Sequence, residues 1–274
     1  MKRKLESFFI KVKSIFMQLC SDRGGAYLNY CIENNAGDSF NKVYLEKEMN
    51  IKVNKYTFGS LEHYLFCGSI ISRCNKNSII IGAGLISEDR VFGDFKKVIG
   101  CRGYKSLSLL RKKKNFTPEF IGDPGLLVKE HFKNIDKPRK KFKIGIIPHF
   151  IDFELVKKFK FKDESITIID IKQDHISVCN EILECDFIVS SSLHGLIFSD
   201  ALSVKNLWVV FSDKIIGGSF KFEDYYSAME NGHKRPIKCK SFEDIVNNLP
   251  IAGVAINPNY KDMKISIEKE FGKF

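Results

Sequence analysis

The feature that most restricts the fold of this chain is the alternation of short apolar runs with amphipathic segments from about residue 26 onward. In the first half, four runs have the length and composition of strands: residues 64–70, 78–81, 97–101 and 119–121. Strands that alternate with helices form βαβ units, and the strands of such units lie parallel in one sheet. The pattern therefore predicts an α/β protein with mainly parallel sheets.

Residues 129–143 interrupt this alternation, because the stretch is charged, contains Pro138 and has no apolar period. We therefore expect a domain boundary near residue 140. Beyond it the alternation restarts, with predicted strands at 143–147, 165–171, 187–191 and 206–211 and predicted helices at 153–159, 176–185 and 194–202.

The fold expected from these halves is a pair of Rossmann-like, doubly wound units that face a cleft. They would comprise residues 21–140 and 141–255. Residues 256–274 carry apolar side chains four positions apart, which predicts a helix that packs back across the domains. Ligands of open α/β sheets bind beyond the carboxyl ends of the strands, so a site is expected in the cleft.

Residues 1–20 predict an amphipathic basic helix, in which five positive residues less Glu6 give a net charge of +4. Such a helix could lie on an anionic membrane leaflet, or its apolar stripe could pack on its own domain. The stripe consists of Leu5, Phe8, Phe9, Val12, Ile15, Phe16 and Leu19.

Composition restricts the environment of the chain. It has no run of about 20 apolar residues and no signal-peptide pattern, so we expect a cytoplasmic location, with the inner face of the cytoplasmic membrane as the alternative. Eight scattered cysteines without a CxxC pair indicate buried, reduced thiols and argue against a metal site.

The formal net charge of +11 comes mainly from dispersed lysines. Nucleic-acid grooves instead show clustered arginines with interleaved aromatic residues, so we expect no nucleic acid as a partner. Anionic small molecules or a membrane surface fit this charge, and so does a lysine-rich composition that only solvates the protein surface.

One strand-to-helix segment carries the most specific chemical signal. An apolar, β-rich run ends in Ser191 and Ser192, and a helical pattern begins immediately afterwards. Hydroxyls, free backbone N–H groups and the positive end of a helix dipole would meet there, which suits a phosphate or a carboxylate. His194 could exchange a proton near neutral pH, and Gly195 would let a ligand approach the backbone. The alternative is that a serine only caps the helix and that the histidine is structural.

Six further motifs accompany the Ser-Ser-Leu-His-Gly segment, in order, between residues 34 and 226. They are Asn34-Asn35-Ala36-Gly37-Asp38-Ser39-Phe40-Asn41, Gly82-Ala83-Gly84, Cys101-Arg102-Gly103, Gly122-Asp123-Pro124-Gly125-Leu126, Ile144-Gly145-Ile146-Ile147-Pro148-His149 and Phe220-Lys221-Phe222-Glu223-Asp224-Tyr225-Tyr226. Each motif alone is weak, but the ordered set is specific. The chain thereby resembles the polysaccharide pyruvyl transferase family, especially the bacterial exopolysaccharide ketal pyruvyl transferases.

The resemblance implies a two-domain fold similar to that of the GT-B glycosyltransferases. It implies phosphoenolpyruvate as the donor of an enolpyruvyl group, and as the acceptor a sugar of a surface polysaccharide or of its lipid-linked precursor. The products would be a pyruvate ketal and phosphate, with no metal or redox cofactor. One alternative is a glycosyltransferase of the same architecture that uses a nucleotide sugar, and another is a non-catalytic assembly or membrane-surface protein with this fold.

Within this resemblance, His194 and Asp38 are the expected catalytic residues. His194 would transfer the proton, and Asp38 would accept a proton from an acceptor hydroxyl, unless it only caps a helix. The phosphate would bind Ser191, Ser192, the Gly195 amide and a lysine.

Further residues are expected at the binding surface. Arg102, at a strand end, would grip a carboxylate, unless it forms a surface ion pair. His149, at the end of the first strand of the second half, would assist proton transfer, unless it is structural. Asn35 belongs to a tight turn at a helix start, and Gly84 to a glycine turn whose backbone would line the cleft. Asp123 is expected to bond backbone amides in a turn.

Many family members carry an arginine two residues before the histidine, where this chain has Ser192. Lys221, Lys214 and Arg102 are the available substitutes for that positive charge. Lys221 would reach the anion from segment 220–226, whose aromatic rings would stack on a sugar, unless the segment is an ordinary amphipathic helix.

Overall fold

The computed structural model describes residues 12, 13, 15, 16, 18–20, 24–30, 35–136, 138–159 and 163–274. These residues form a mixed α/β structure with two parallel sheets, one of six strands and one of five. The predicted α/β class is confirmed, and the two sheets are consistent with two Rossmann-like halves. The first sheet lies within residues 26–121 and the second within 142–238, while a domain boundary near residue 140 stays a prediction.

The first sheet is built from short, buried strands. They are β1 (Ala26–Leu28), β2 (Val53–Lys55), β3 (His63–Leu65), β4 (Ser78–Ile81), β5 (Lys97–Cys101) and β6 (Phe120–Ile121). Their order is β2-β1-β3-β4-β5-β6, and every neighbouring pair is parallel. The helices of this half are α1 (Ala36–Lys47), α2 (Tyr104–Arg111) and α3 (Val128–His131), with 3-10 turns at Ile71–Arg73 and Pro124–Leu127.

Two of the strands predicted in this half, β4 and β5, have the predicted bounds. Strand β3 ends at Leu65 instead of at residue 70, because the chain turns away from the sheet while its side chains stay buried. Strands β1 and β2 were not predicted, since a strand of three residues is too short to show an alternation of apolar and polar side chains. The interruption predicted from residue 129 begins later, because α3 occupies its first residues.

The second sheet has the order β11-β10-β9-β7-β8, again with parallel neighbours. Its strands are β7 (Phe142–Ile147), β8 (Ile166–Ile168), β9 (Cys185–Ser190), β10 (Lys205–Val210) and β11 (Ile237–Lys238). The helices are α4 (Phe153–Val156), α5 (His175–Leu183), α6 (Leu193–Ala201), α7 (Phe220–Tyr226), α8 (Phe242–Asn248) and α9 (Tyr260–Phe271). The predicted strands of this half are confirmed with small shifts at their ends, and the short β11 was missed.

Both sheets reverse their strand order at one place, between β1 and β3 in the first and between β7 and β9 in the second. At such a reversal, the loops that leave the carboxyl ends of the two strands diverge and open a crevice. The topology therefore indicates one candidate crevice in each half.

Helix α6, which follows β9, is the central helix of the molecule. Eight of its residues are buried, and a helix that is apolar on all sides is a core element. The 3-10 turn of the first half packs closely on it, because a Cβ at Gly125 would lie 2.9 Å from Cγ2 of Ile197. Helix α6 thus holds its amino end at the junction of the two halves.

Helix α9 packs on the first half and lies within residues 256–274, the segment in which a helix was predicted. Met263, Ile267 and Phe271, which lie four positions apart, are fully buried. The ring centres of Phe271 and Tyr64 are 4.7 Å apart, and the Tyr64 hydroxyl donates to Oε1 of Glu270 at 2.8 Å. The end of the chain thereby covers the first sheet.

The N-terminal helical segment exposes the part of its apolar stripe that the structure describes. Gln18 attaches the segment to the domain, since its Nε2 donates to the Phe58 carbonyl at 2.7 Å. The structure therefore does not support core packing for these residues, and membrane contact stays a prediction; the first part of the stripe lies outside the described residues. Four apolar side chains are between 39% and 70% exposed: Val12, Ile15, Phe16 and Leu19.

Within the described residues, no helix is long and apolar enough to span a bilayer. The same residues contain no group of three or more His, Cys, Asp or Glu side chains placed to hold a metal ion. Six of the described cysteines are buried thiols and Cys20 is exposed, while Cys31 lies outside the described residues.

Candidate active site

A small pocket lies where the two crevices meet. All four strand ends at the two reversals contribute to it: Asn35 follows β1, Ser69 follows β3, His149 follows β7 and Ser192 follows β9. Its volume is about 80 Å³, on a scale where one water needs roughly 10–15 Å³. The pocket is lined by Asn35, Ser69, His149, Phe150, Ile171, Ser192, Leu193, His194 and Lys221.

Half of the residues predicted for the site line this pocket. The lining residues among them are His194, His149, Ser192, Lys221 and Asn35. The remaining predicted residues, Asp38, Arg102, Ser191, Gly195 and Gly84, lie beside the pocket or behind its wall.

The serines at the end of β9 differ in their hydrogen bonds and therefore in their roles. Ser190 Oγ donates to the Ile147 carbonyl at 2.9 Å and accepts from the Ser192 N–H at 3.0 Å, which shapes the turn. Ser191 is fully buried, and its Oγ accepts from the His149 N–H at 2.8 Å, so it positions this histidine and does not line the pocket. Ser192 occupies the N-cap position of α6, yet its hydroxyl makes no capping bond and is available to a ligand.

Tight packing explains why residue 195 is a glycine, while the approach of a ligand to its backbone stays a prediction. A Cβ there would lie 2.4 Å from Oγ of Ser190 and 3.0 Å from Cγ2 of Ile147. Its N–H is nevertheless in the first turn of α6, where backbone donors have no helical partner.

His194 lies in the first turn of α6 and joins the two halves. A Cβ at Gly37 of α1 would lie 2.1 Å from Nδ1 and Cε1 of the ring, so only a glycine lets the imidazole pack there. Nε2 lies 3.5 Å from Sγ of Cys67. Nδ1 has no hydrogen-bond partner among the described residues and is the ring atom left for a ligand.

Both pocket histidines are neutral near pH 7. Burial, and then the positive charges of Lys221 and Arg102, lowers the pKa of His194 to about 3. Burial and then Lys221 lower the pKa of His149 to about 3 as well. A neutral imidazole accepts a hydrogen bond at one nitrogen and donates from the other, so each ring can take or give a proton.

The hydrogen bonds of His149 select its tautomer. Its Nδ1 accepts from the Ile151 N–H at 3.3 Å, so the ring proton lies on Nε2. The Nε2–H group is then a donor for an anion in the pocket. The predicted place of His149 at the cleft agrees with the structure, while its role stays a prediction.

Lys221 supplies the positive charge of the pocket. Its side chain is only 7% exposed, and none of the ion pairs among the described residues involves its ammonium. Burial and then the charge of Arg102 lower the pKa of Lys221 to about 8. Since a buried, unpaired charge is costly, an anion is expected to complete the site.

Three residues were candidates to supply the positive charge of the arginine that many family members carry at the position of Ser192. Of these three, Lys221 lines the pocket, as Ser192 does. Lys214 is exposed outside it, and Arg102 is enclosed behind it. The chain thus supplies the positive charge from α7 instead of from the serine turn.

Arg102 is completely buried behind the pocket wall. Its Nε and Nη2 lie 2.9 Å from Oδ2 of Asp224, and Nη2 also donates to the Leu85 carbonyl at 2.5 Å. The predicted grip on a substrate carboxylate is therefore replaced in this structure by an internal ion pair. Gly84 leaves room for this ion pair, because a Cβ at position 84 would lie 2.3 Å from Cζ of Arg102.

Ser69 connects Arg102 to the pocket. Nη1 of Arg102 donates to Oγ of Ser69 at 2.7 Å. A hydroxyl that accepts such a bond can still donate its own proton, and the charge of the donor polarises it. Arg102 therefore acts on the pocket through the Ser69 hydroxyl.

We predict that Arg102→Met destabilises the protein by about 3–5 kcal/mol, because the substitution leaves Asp224 buried without its charge partner. Urea unfolding measures the change. Lys105→Met is the matched control, since Lys105 pairs with Glu223 between the same two helical segments but at the exposed surface. That variant is expected to lose less than about 1 kcal/mol. Equal losses in the two variants would contradict the buried pair as a structural link.

Asn35, not Asp38, caps α1. Oδ1 of Asn35 accepts from the Gly37 N–H at 2.9 Å. Asp38 follows in the first turn, where a negative charge is favourable with the helix dipole. Burial and then the charge of Asp123 raise the pKa of Cys67, the thiol next to His194, and the charge of Asp38 contributes less. The role of Asp38 as a base stays a prediction.

The aromatic rings of α7 belong to the core. Phe222 stacks on Trp208 with ring centres 4.8 Å apart, and the Tyr225 hydroxyl donates to Oδ2 of Asp200 at 2.9 Å. Phe222 and Tyr225 are therefore not available to a sugar in this structure, whereas Phe220 is only partly buried, so both stacking on a sugar and the alternative of an amphipathic helix stay predictions. This helix holds Lys221 against the pocket.

Ser69 and Cys67 were not predicted as site residues, because both lie within residues 64–70, which were predicted to form a strand. The strand ends at Leu65, so both residues lie at the carboxyl end of β3. Gly68 was the available signal, since its φ of +111° marks a turn that other residues rarely adopt.

Comparisons with known proteins give the same assignment for most of the chain. The model of the polysaccharide pyruvyl transferase family matches residues 36–213. The chain is 34% identical to an uncharacterized protein of Acanthamoeba polyphaga mimivirus over 251 residues, which cover 88% of this chain and 87% of that protein. A crystal structure of an uncharacterized protein from Klebsiella pneumoniae aligns with a TM-score of 0.42 and 13% identity, over 80% of this chain and 92% of that one.

Proposed function

Because this chain belongs to the polysaccharide pyruvyl transferase family, we propose that it transfers the enolpyruvyl group of phosphoenolpyruvate to a sugar of a surface polysaccharide or of its lipid-linked precursor. The family supports pyruvyl transfer to a polysaccharide. The chemistry of the pocket supports the choice of donor.

The observation that carries the proposal is the ammonium of Lys221, which has no ion-pair partner among the described residues, in a pocket whose described lining includes no carboxylate. The Ser192 hydroxyl and the free N–H groups of the first turn of α6 are further donors at the same place. Such a set of donors favours a multiply charged anion, and phosphoenolpyruvate carries a phosphate and a carboxylate on adjacent atoms.

The size of the pocket also favours a small donor. Its volume of about 80 Å³ is far below the roughly 300–1,000 Å³ typical of sites that enclose larger ligands. A nucleotide sugar, the donor of the alternative glycosyltransferase, would leave its base and ribose outside this pocket. Phosphoenolpyruvate could place its anionic groups within it.

The reaction needs one acid, one base and charge stabilisation, but no redox change. A proton adds to the methylene carbon of phosphoenolpyruvate, and a sugar hydroxyl attacks the adjacent carbon. The bond from that carbon to the phosphate oxygen breaks, and a second hydroxyl closes the ketal. Of the two hydroxyl protons, one ends in the new methyl group and the other leaves with phosphate.

In this proposal, Lys221, Ser192 and the Gly195 N–H bind the phosphate. The Ser69 hydroxyl, polarised by Arg102, binds the carboxylate in place of the guanidinium itself. These donors lie on both halves, so they hold the donor across the junction.

His194 exchanges the proton in this proposal, because Nδ1 has no hydrogen-bond partner within the described part of the chain. His149 donates from Nε2 to the developing anion, and Asp38 accepts a proton from the sugar hydroxyl at the rim. A GT-B-like arrangement, a cytoplasmic location and contact with an anionic leaflet through residues 1–20 are parts of the same proposal.

The test is phosphorus NMR of phosphoenolpyruvate mixed with the protein and extracted lipid-linked glycan. We expect inorganic phosphate to appear only when the glycan is present. Thermal shifts with phosphoenolpyruvate and with a panel of nucleotide sugars provide the second measurement. Stabilisation by a nucleotide sugar, without acceptor-dependent phosphate release, would instead support the glycosyltransferase, and stabilisation by neither would support a non-catalytic protein.

The affinity for phosphoenolpyruvate is expected to fall about tenfold between pH 7 and pH 9. Burial lowers the pKa of Lys221 to about 8, so the free pocket loses its charge as the pH rises through this value. A phosphate ester is already dianionic above pH 7, since its second pKa is about 6. Bound anion favours the charged lysine, and binding therefore takes up a proton. Calorimetric titration at the two pH values measures the change.

Lys221→Arg is the matched control for this pH dependence. Its guanidinium stays charged at pH 9, so the affinity of the variant should change little over the same interval. A wild-type affinity that is constant from pH 7 to pH 9 would show that Lys221 does not carry the charge that binds the donor.

A further inference from the structure

A thiol and a carboxylate that the proposed mechanism does not use lie directly behind His194. Sγ of Cys67 is 3.5 Å from Nε2 of His194 and 3.3 Å from Oδ1 of Asp123. Cys67 and Asp123 follow β3 and β6 of the first half, whereas His194 follows β9 of the second. The three side chains therefore form a row across the junction of the two sheets.

The directions of these hydrogen bonds follow from Asp123. Its Oδ1 accepts from the Gly125 N–H at 2.9 Å, so this oxygen acts as an acceptor. The thiol donates its one proton to the same oxygen. The sulfur then has only lone pairs to offer His194, and the ring must donate to it from Nε2.

The middle residue of this row, Cys67, is held in place through its backbone. Asn41 of α1 clamps the backbone of Cys67, because Oδ1 accepts from the Cys67 N–H at 2.9 Å and Nδ2 donates to the Cys67 carbonyl at 3.3 Å. The same Nδ2 lies 3.0 Å from the Gly37 carbonyl, next to the ring of His194. The position of the thiol relative to the imidazole is therefore set by a buried amide.

Asp123 has an unusual environment for a carboxyl group. The side chain is completely buried, and Oδ2 has no hydrogen-bond partner within the described residues. A helix cap needs only Oδ1, so capping of the 3-10 turn does not explain why a second acceptor is buried. Orientation of a neighbouring ring through the thiol provides a reason to keep a carboxylate there.

We propose that Cys67 and Asp123 are positioning residues that hold His194 as its Nε2–H tautomer and leave Nδ1 unprotonated for the substrate. This inference rests on the proposed function of His194 as the group that exchanges the proton. The thiol itself is not a nucleophile, because burial and then the charge of Asp123 raise its pKa well above the usual value.

The first experiment is nitrogen NMR of the full-length protein labelled with ¹⁵N-histidine, which reports the tautomer of each ring. The signal of His194 is assigned from the spectrum of His194→Gln. We expect Nε2–H in the wild type. In Asp123→Leu, which has a similar size and no acceptor, the thiol loses the oxygen that receives its proton, so this proton turns to Nε2 and the ring becomes the Nδ1–H tautomer.

The second experiment is steady-state turnover. Asp123→Leu should reduce kcat about 100-fold with less than a threefold change in KM for phosphoenolpyruvate, because the donor-binding groups are untouched. Cys67→Ala should show the same split, and Cys67→Ser should recover most of the activity, since a hydroxyl can pass on the hydrogen bond. Cys179→Ala is the matched control, because Cys179 is a buried thiol in α5 away from the pocket.

An Nδ1–H tautomer in the wild type would overturn the inference, whether or not the variants fold. So would an unchanged tautomer in a folded Asp123→Leu protein, or equal kcat values for Cys67→Ala and Cys179→Ala. The tautomer measurement needs no turnover. A tautomer exchange in a protein that never releases phosphate from phosphoenolpyruvate would therefore support the positioning row and reject the proposed function.

Discussion

Replacement of His194 by glutamine is expected to reduce turnover about 1,000-fold while phosphoenolpyruvate still binds. The wild-type ring is neutral, because burial and the nearby positive charges lower its pKa to about 3. Its loss therefore removes little attraction for the donor. It removes the group in the first turn of α6 that passes a proton between substrate atoms in the proposed reaction. The measurement is acceptor-dependent phosphate release, with the dissociation constant determined separately by calorimetry.

His131→Gln is the control for this substitution. His131 is partly exposed and pairs with Glu48 away from the pocket, so its replacement should leave turnover unchanged. Near-normal turnover of His194→Gln would remove the histidine from the chemistry. A dissociation constant that rises as much as turnover falls would instead assign it to binding of the donor.

The second large effect is expected for Lys221→Met, which should weaken phosphoenolpyruvate binding about 100-fold or more. Methionine has a similar length and no charge, so the side-chain volume is kept while the ammonium, which lies 5.3 Å from the centre of the Phe222 ring, is lost. Removal of a buried, unpaired charge should also leave the free protein as stable as the wild type or more stable. Calorimetric titration and urea unfolding measure the two effects on the same samples.

Lys214→Met is the matched control, because Lys214 precedes the same helix but is exposed outside the pocket. Its replacement removes one positive charge from the surface and should change the affinity less than threefold. If both variants lost affinity equally, the general positive field of the chain would explain binding, and Lys221 would have no specific role. A loss of stability in Lys221→Met would show that the ammonium has a structural partner.

The position of these residues makes the pocket dependent on the junction between the two sheets. His194 packs on Gly37, and Lys221 is held by a helix whose Asp224 pairs with Arg102 of the first half. Neither half alone contains the donor set. Changes at the junction should therefore affect donor binding as well as stability.

Much of the fold could be predicted from the sequence. Strands β4 and β5 are apolar runs of four and five residues, bounded by turns, and their bounds were predicted without error. Helix α9 shows three apolar residues at a spacing of four. The strands of three residues and the end of β3 were not predicted, because a period needs several residues to be visible and because buried residues after a strand resemble the strand itself.

The candidate site could be predicted only in part. The serine turn before α6 and the place of His149 follow from local patterns, since each lies at the carboxyl end of a strand. The sequence also indicated Arg102 as a residue that binds an anion. It could not indicate that the guanidinium forms an internal ion pair with Asp224. The partner is 122 positions away, and no local pattern encodes such a pairing.

The sequence by itself thus determined the α/β class, most strand positions and the strand-to-helix turn with His194, because periodicity and turn chemistry act between neighbours along the chain. Only the tertiary structure decided which polar side chains meet a ligand. It enclosed Arg102 with Asp224, left Lys221 buried without a counter-ion among the residues that the structure describes, and set Cys67 behind the histidine. The physical reason is that burial and ion pairing depend on distances in space, and the decisive partners come from opposite halves of the chain.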